Sequence, residues 1–400
     1  MTLFGARHAT TTSATPLTRL ESSADWTTKA LAIAGCDLVE PWKSMVRTNL
    51  WEDGTPTSVY GDRCYTDTEV ANMGQVMVKI PKFWYYIDDT GLPNRDYYIS
   101  NSASDTVGGN AVQVHPMFIT NGVTKDYIYV SAFEGYVNGT KLESRAGAAP
   151  DIVKEKTLTN YRTWANNRYT GNKWGNWTFQ AWSGMQLLYL VEYADLDSQG
   201  ANGLGGGITA VGASIANTGT TGLGSSHDVG NMSYGTAANA TSPVSYRGVE
   251  NIFGNTMTYV DGINMKQTGA HPWIADYGYD CANVSAAPYV DTGIVCQWSE
   301  ADTKYFMTHI NYGGKVAYPG TAPLFGNDWY FLPDPAASTG NNLTYFCDSG
   351  SIIAAGGTNT VAVGGLAGSA TQAGIFYVGA RYSCATPAYD GWNGRLMWTP

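Results

Sequence analysis

Apolar and polar residues alternate over Val76 to Pro81: Val76, Val78 and Ile80 share one face and Met77 and Lys79 the other. That is the period of a β-strand, and Pro81, which has no amide hydrogen to donate, ends its ladder. Tyr127 to Phe133 repeats the pattern, with Ile128 and Val130 on one side and Tyr127, Tyr129 and Ser131 on the other. The period then lengthens. Leu158, Tyr161, Trp164 and Ala165 recur at the spacing of one helical face, with Arg162 and Asn166 outside the stripe. Thr178 to Asp195 carries Trp182, Met185, Leu187, Leu188, Tyr189, Leu190 and Val191, apolar nearly all round, which predicts a helix buried on most sides. Trp164, Trp182, Met185, Leu188 and Phe253 are the expected core residues.

The pattern fades on either side of these elements. Residues 1 to about 72 are Thr/Ser-rich and then mixed, with Gly54, Pro56 and Gly61 marking turns. They read as an N-terminal segment, either a small attachment module or the leading flank of a main domain covering 73–400. Gln199 to Pro243 is mostly Gly, Ala, Thr, Ser and Asn and has little with which to build a core, so about 199–245 is expected to be a long loop excursion. From Tyr246 to Pro400 short apolar runs alternate with turn residues, as in a loop-rich, mostly antiparallel β region.

Charge narrows the partners. There are 23 Lys and Arg against 33 Asp and Glu, a net −10, and no basic run interrupts the acidic balance. A phosphate backbone is bound by clustered cations, so nucleic acid is not an expected ligand. Charged residues make up only 14% while 47 Gly, 27 Tyr and 13 Trp are present, a composition suited to loops pinned by amphipathic rings and to recognition outside the cell. Met1 to Thr10 lacks the basic and apolar regions of a secretory signal, and no apolar run has bilayer length, so a soluble chain without membrane insertion is expected. Cys36, Cys64, Cys281, Cys296, Cys347 and Cys384 form no CxxC and are too sparse for a disulfide scaffold; free, buried thiols are the expected state.

Catalytic motifs are missing. The chain has no GxSxG, no GxxxxGK[ST], no GxGxxG and no HExxH, and nothing assigns a catalytic residue or a cofactor. Ser226, His227 and Asp228 are consecutive in a Gly-rich loop, whereas a triad is defined by spatial geometry. Asp195-Leu196-Asp197 faintly suggests a calcium loop, but Gln199 and Gly206 stand where further oxygen ligands belong, so an EF-hand is rejected. Glu250, Asn251, Asn255 and Asp261 sit among glycines, where such side chains usually bond local backbone amides. Structural Ca²⁺ is the minority alternative for them. Gly248 and Gly254 are expected at positive φ or at close backbone approaches.

Two blocks carry a family resemblance: YRGVENIFGNTMTYVDGIN, with Arg247, Gly248, Glu250, Asn251, Gly254, Asn255, Asp261 and Gly262, and VGGLAGSATQAGIFYVGAR, with Gly364, Gly365, Gly374 and then the closing Arg395. Together they resemble C-type-lectin-fold proteins of the formylglycine-generating-enzyme/sulfatase-modifying branch. Within that branch the chain is most similar to virus tail-tip receptor-binding proteins, including the major-tropism-determinant-like variable proteins diversified by retroelements. VMVKIPKFWYY, HPMFITNGVTKDYIYVSAFEG, WSGMQLLYLVEYADLDSQ and the N-terminal FGARHATTTSATPLTRL resemble segments of phage tail proteins. The resemblance implies an α+β C-type lectin fold with two helices, short mostly antiparallel strands and long loops behind the N-terminal segment. It also implies a place at the virion tail tip, exposed to the extracellular environment, a host-surface protein or glycan as ligand, and a homo-oligomer, a trimer by analogy.

The same resemblance makes about 360–400 the variable region. Its Leu366, Ser369, Thr371, Tyr377, Arg381, Tyr382, Ser383, Thr386, Tyr389 and Asp390 are the candidate ligand-binding residues, since Tyr, Ser and Arg set among small residues form adaptable contact loops. Ile375 to Gly391 contains no Trp, Lys, Glu, Met or Gln, the types that adenine-directed diversification does not reach when the third base is a pyrimidine. In formylglycine-generating enzymes two cysteines follow a Gly-Gly pair; aligned on Gly364-Gly365, Ser369 and Gly374 take their places, and neither offers a thiolate. Binding without chemistry is therefore expected. An enzyme on the same fold with a non-thiol mechanism and a purely structural tail protein are the alternatives.

Overall fold

The computed structural model describes residues 3–9, 17–68, 70–88, 94–150, 156–171, 173–210, 218, 232–233, 243–266, 270–280, 287–296, 305–306, 329–332, 346–352, 358–383 and 391–400. Among them lie four α-helices, α1 (Lys29–Cys36), α2 (Val70–Met73), α3 (Leu158–Asn166) and α4 (Phe179–Tyr193). Most of the remaining regular structure is strand, which makes the chain mixed α+β. The two expected helices form where the periodicity puts them. α1 and α2 are additional: α1 is small-residue-rich and buries only Ala32 and Cys36, and α2 is a single turn, so neither leaves an apolar stripe in the sequence.

The helix starts follow from capping. Thr178 accepts a hydrogen bond from the Ala181 amide (3.1 Å) at the head of α4, and Thr157 and Asn160 bond each other's amides at the head of α3. Each bond satisfies a donor that the first turn leaves open. All 15 residues of α4 are buried, as an all-round apolar helix requires.

Three larger sheets surround this helix. In the first, the strands run in the order Gln113–Val114, Trp84–Asp88, Asn94–Ser100, Leu3–Ala9 and Thr18–Glu21. The second has the order Trp174–Asn176, Leu396–Trp398, Tyr127–Ser131, Gln75–Pro81, Arg47–Leu50 and Pro56–Val59. Hydrogen-bonded pairing therefore crosses the expected boundary near residue 72 twice, from Leu3–Ala9 to Asn94–Ser100 and from Arg47–Leu50 to Gln75–Pro81. The third sheet centres on Met257–Lys266, Thr358–Val363 and Val378–Ala380, antiparallel to one another in that order, with Trp392–Asn393 added in parallel to Met257–Lys266.

The strand Gln75–Pro81 departs from simple alternation. Met77 is buried along with Val76, Val78 and Ile80, because its face meets a second core of Leu50, Tyr129, Trp174 and Trp398. Lys79 stays on that face half-buried, its ammonium 4.7 Å from the centre of the Tyr127 ring. Trp182, Met185, Leu188 and Phe253 are buried as expected. Trp164 is not fully covered; it lies half-buried at the margin of the second core, edge-on to Tyr161 at 5.4 Å.

At the near end of the expected excursion, Leu204 and Ile208 are buried, so its first residues pack onto the core. Ser226, His227 and Asp228 lie outside the described residues. Cys36 is a buried free thiol and Cys64 an exposed one, and Cys296 and Cys347 are buried. Among the described residues no helix is long and apolar enough to cross a membrane.

Two outcomes follow. Trp182→Ala removes a ring that is 1% exposed and is expected to cost about 3–5 kcal/mol in chemical denaturation. Just beyond α4, burial pushes the Asp195 carboxyl up from 3.8 to about 7. Its folded value exceeds its unfolded one, so its stabilising contribution is complete below about pH 4 and lost as pH rises through about 7. Unfolding free energies of wild type and Asp195→Asn should diverge in favour of the variant across that window, by an amount on the order of 4 kcal/mol; parallel pH profiles would contradict this.

Candidate functional site

The candidate C-terminal run begins where Thr358–Val363 ends in the Gly364-Gly365 turn. The Leu366 amide donates to Ser369 Oγ (3.2 Å) and the Ser369 amide returns a bond to the Leu366 carbonyl (3.0 Å). This closes a tight loop in which Ser369 is buried, Leu366 half-buried and Thr371 exposed. The loop is tied to the rest of the molecule through its backbone: Ala370 donates to the Thr209 carbonyl (2.6 Å) and Ala367 to that of Asn255 (3.0 Å).

Ile375 and Phe376 then turn inward. Gln186 of α4 donates to the Ile375 carbonyl (2.8 Å), and the Phe376 amide donates to Asp348 Oδ2 (2.7 Å). Tyr377 follows them. It is 1% exposed and belongs to the second core with Tyr259 and Trp392, which corrects its expected place on a recognition surface. Its ring is structural because the inward turn at Gly374 has already carried the chain beneath the sheet.

The chain surfaces again after Val378–Ala380. Arg381, Tyr382 and Ser383 are half-exposed, with the Arg381 guanidinium 5.8 Å from the centre of the Tyr382 ring. The Tyr382 ring packs edge-on against Trp392 at 5.1 Å, and its carbonyl accepts bonds from the Thr360 amide (2.9 Å) and Thr360 Oγ1 (3.1 Å). Ser383 pairs with Asn359 as an isolated bridge. Leu366 lies beside Gly391, next to the Trp392 that supports Tyr382, so Leu366 and Tyr382 flank one aromatic support. Thr386, Tyr389 and Asp390 lie outside the described residues.

Beneath this surface is a buried polar network. Glu134, 1% exposed at the end of the strand Tyr127–Ser131, accepts from Asn251 Nδ2 (3.1 Å), Asn255 Nδ2, Thr256 Oγ1 and the Thr256 amide (3.0 Å). Burial pushes its carboxyl upward, opposed by Arg395 and by these donors. Arg395, also fully buried, donates through Nη2 to the carbonyls of Glu250 and Asn251, each at 2.7 Å. Asn251 and Asn255 are thus structural, but their amides reach a distant carboxylate rather than local backbone. Arg247 donates to Glu192 of α4, and Asp261 is held by Arg162.

Positive φ at Gly248 and Gly254 bears out the turn reading. A Cβ on Gly254 would stand 2.9 Å from Thr209 Cγ2 and 3.1 Å from the Ile208 backbone, so a larger residue is resisted by both space and conformation. Neither Glu134 nor Arg162 stands out in the sequence. The one available signal is an isolated acid directly after an apolar strand, in Phe133-Glu134-Gly135, where burial demands a partner.

No protein-family model matches the chain, and no curated protein matches it. Among the described residues, no group of three or more His, Cys, Asp and Glu side chains is placed to hold a metal ion.

The geometry separates neighbours by role. Tyr377→Ser is expected to cost about 2–4 kcal/mol, as for a large buried side chain, whereas Arg381→Ser and Ser383→Ala should stay within about 1 kcal/mol. Glu134→Ala strands the buried donors around it and should cost about 3–5 kcal/mol. Urea denaturation of these four variants is the check.

Proposed function

We propose that this chain is a non-enzymatic receptor-binding protein of a virus tail tip, built on a C-type lectin fold, whose C-terminal loops contact a host-surface protein or glycan. The fold reading is supported by connectivity: the last strand, Leu396–Trp398, pairs with Tyr127–Ser131. Between those paired strands come α3, α4 and then the antiparallel series Met257–Lys266, Thr358–Val363 and Val378–Ala380. The C-terminal strand thus returns to Tyr127–Ser131, with two helices and a further sheet between them in the chain.

The observation that carries the binding reading is Arg381–Tyr382–Ser383. These side chains are half-exposed while their backbone is fixed to Asn359 and Thr360 and the Tyr382 ring rests on Trp392. Aromatic and Arg anchors dominate protein interfaces, and a rigid backbone lets them bind without a large ordering cost. Thiol chemistry finds no support at the positions that align with catalytic cysteines in the resembling enzymes. A Cβ on Gly374 would collide with the Asp348 carboxylate, and the Ser369 hydroxyl is bonded to the Leu366 amide.

The test is adsorption of the labelled full chain to a panel of bacterial cells. Arg381→Ser/Tyr382→Ser is expected to weaken adsorption at least about tenfold with the melting temperature little changed. Full adsorption by a folded double variant would overturn the reading. A near-copy of the DNA encoding 360–400 beside a reverse-transcriptase gene would support retroelement diversification, and sedimentation as a trimer would fit a symmetric tail appendage.

A further inference from the structure

We infer a second binding site, for a saccharide, in the cleft between α3, the N-terminal end of α4 and the segment Tyr277–Tyr279 that follows the strand His271–Ile274. The cleft encloses about 390 Å³ and none of its lining residues belongs to the C-terminal run 366–390. That volume lies in the lower part of the range for small-ligand sites, about 300–1,000 Å³. The inference stands independently of what Arg381–Ser383 binds.

Its deepest charged group is Asp261. The residue sits in a bulge of Met257–Lys266, where the register against Thr358–Val363 shifts between Val260 and Asn264. The bulge directs the Asp261 amide to the Trp177 carbonyl (2.8 Å) at the entrance to α4. Arg162 of α3 then grips the carboxylate with two donors, Nε to Oδ2 at 3.2 Å and Nη2 to Oδ1. Asp261 is 1% exposed; burial raises its carboxyl and Arg162 opposes that rise. The result is a fixed, planar pair of donor and acceptor groups in the wall, with Lys173 exposed at the rim as the one further charged side chain among the described lining residues.

The mouth has a different character. Tyr277 is 36% exposed, and Tyr279 is held by a bond from its hydroxyl to the Asp276 carbonyl (3.1 Å). Asn166, exposed at the end of α3, brings an amide that both donates and accepts. A pyranose ring offers hydroxyls that donate and accept around its edge and C–H groups on its faces, so it is matched by planar polar side chains together with aromatic rings. A phosphate or nucleotide is matched less well, since Asp261 engages the Arg162 guanidinium and leaves Lys173 as the one further cation among the described lining residues, whereas phosphates are bound by clustered cations. Two-carboxylate glycosidic cleavage needs a pair of acids flanking the bond; among the described residues Asp261 is the only Asp or Glu lining the cleft, and it is already engaged by Arg162. The site therefore holds a sugar without cutting it.

Saturation-transfer-difference NMR on the full chain tests this with galactose, N-acetylglucosamine, glucuronic acid, N-acetylneuraminic acid, lactose and maltose, each at about 10 mM, where ligands of millimolar Kd are partly bound. At least one sugar should receive saturation. Tyr277→Ala and Asn166→Ala, both at exposed positions, should each raise its Kd about tenfold while keeping the wild-type melting temperature, and Tyr382→Ser should leave it unchanged. No transfer to any of the six sugars overturns the inference, as does binding indifferent to both cleft variants or abolished by Tyr382→Ser.

Discussion

A helix with no solvent-facing side cannot leave its polar side chains to water, and α4 carries that constraint into the rest of the molecule. Its burial removes Gln180, Ser183, Gln186 and Glu192 from water, where each would otherwise be hydrated. They answer by reaching into four separate parts of the chain: Gln180 donates to the Ala275 carbonyl, Ser183 to that of Trp329, Gln186 to that of Ile375, and Glu192 accepts from Arg247. Loops that have little regular structure of their own are thereby fixed by a single rigid rod. Apolar packing supplies the bulk of the driving force, while these bonds choose which loop segments lie against which turn of the helix.

The Glu134 network applies the same logic one layer out. A carboxylate at the end of a strand gathers Asn251, Asn255 and Thr256, and the segment it organises passes bonds onward, from Gly254 to the Gly364 carbonyl (3.2 Å) and from the Asn255 carbonyl to Ala367. Arg395 closes the arrangement from the C-terminal side, with its guanidinium 5.5 Å from the centre of the Trp177 ring. Burial lowers the tendency of Arg395 to stay charged, and the nearby Glu134 and Glu250 offset that cost. The loop Leu366–Gln372 is consequently supported by a polar interior many of whose groups bond one another.

Sequence pattern was legible where one physical cause dominated. The all-round apolar character of Thr178 to Asp195 had only one structural solution. Positive φ at Gly248 and Gly254 likewise follows from local chemistry. What the sequence left hidden depended on neighbours far along the chain. Alternation put Met77 and Tyr129 on the second face of their strands without saying what covers it, and Leu396–Trp398 brings a second core against them from the far end of the chain. Tyr377 shares the vocabulary of a recognition loop with Tyr382, and only the inward turn at Gly374 separates the buried ring from the half-exposed one. Glu134 and Arg162 are single charged residues in unremarkable settings; their partners lie 121 and 99 positions away respectively, at Asn255 and Asp261.

The two candidate surfaces draw on the same support. Gln180, near the start of α4, fixes the Ala275 carbonyl, two positions before the cleft residue Tyr277; Gln186, farther along, fixes Ile375 beneath the segment that leads to Arg381. The two surfaces are also joined through the third sheet, since Asp261 lies on Met257–Lys266 and its partner strand Thr358–Val363 carries the Asn359 and Thr360 that hold Ser383 and Tyr382. A well-packed core transmits little change when an exposed side chain is replaced, and distant substitutions without shared partners combine additively. Substitutions at the cleft mouth and at Arg381–Ser383 should therefore act independently. What the two surfaces share is buried, the helix α4 and the strand pair Met257–Lys266 with Thr358–Val363, so a substitution that moves either support should disturb both surfaces while one confined to an exposed side chain disturbs one.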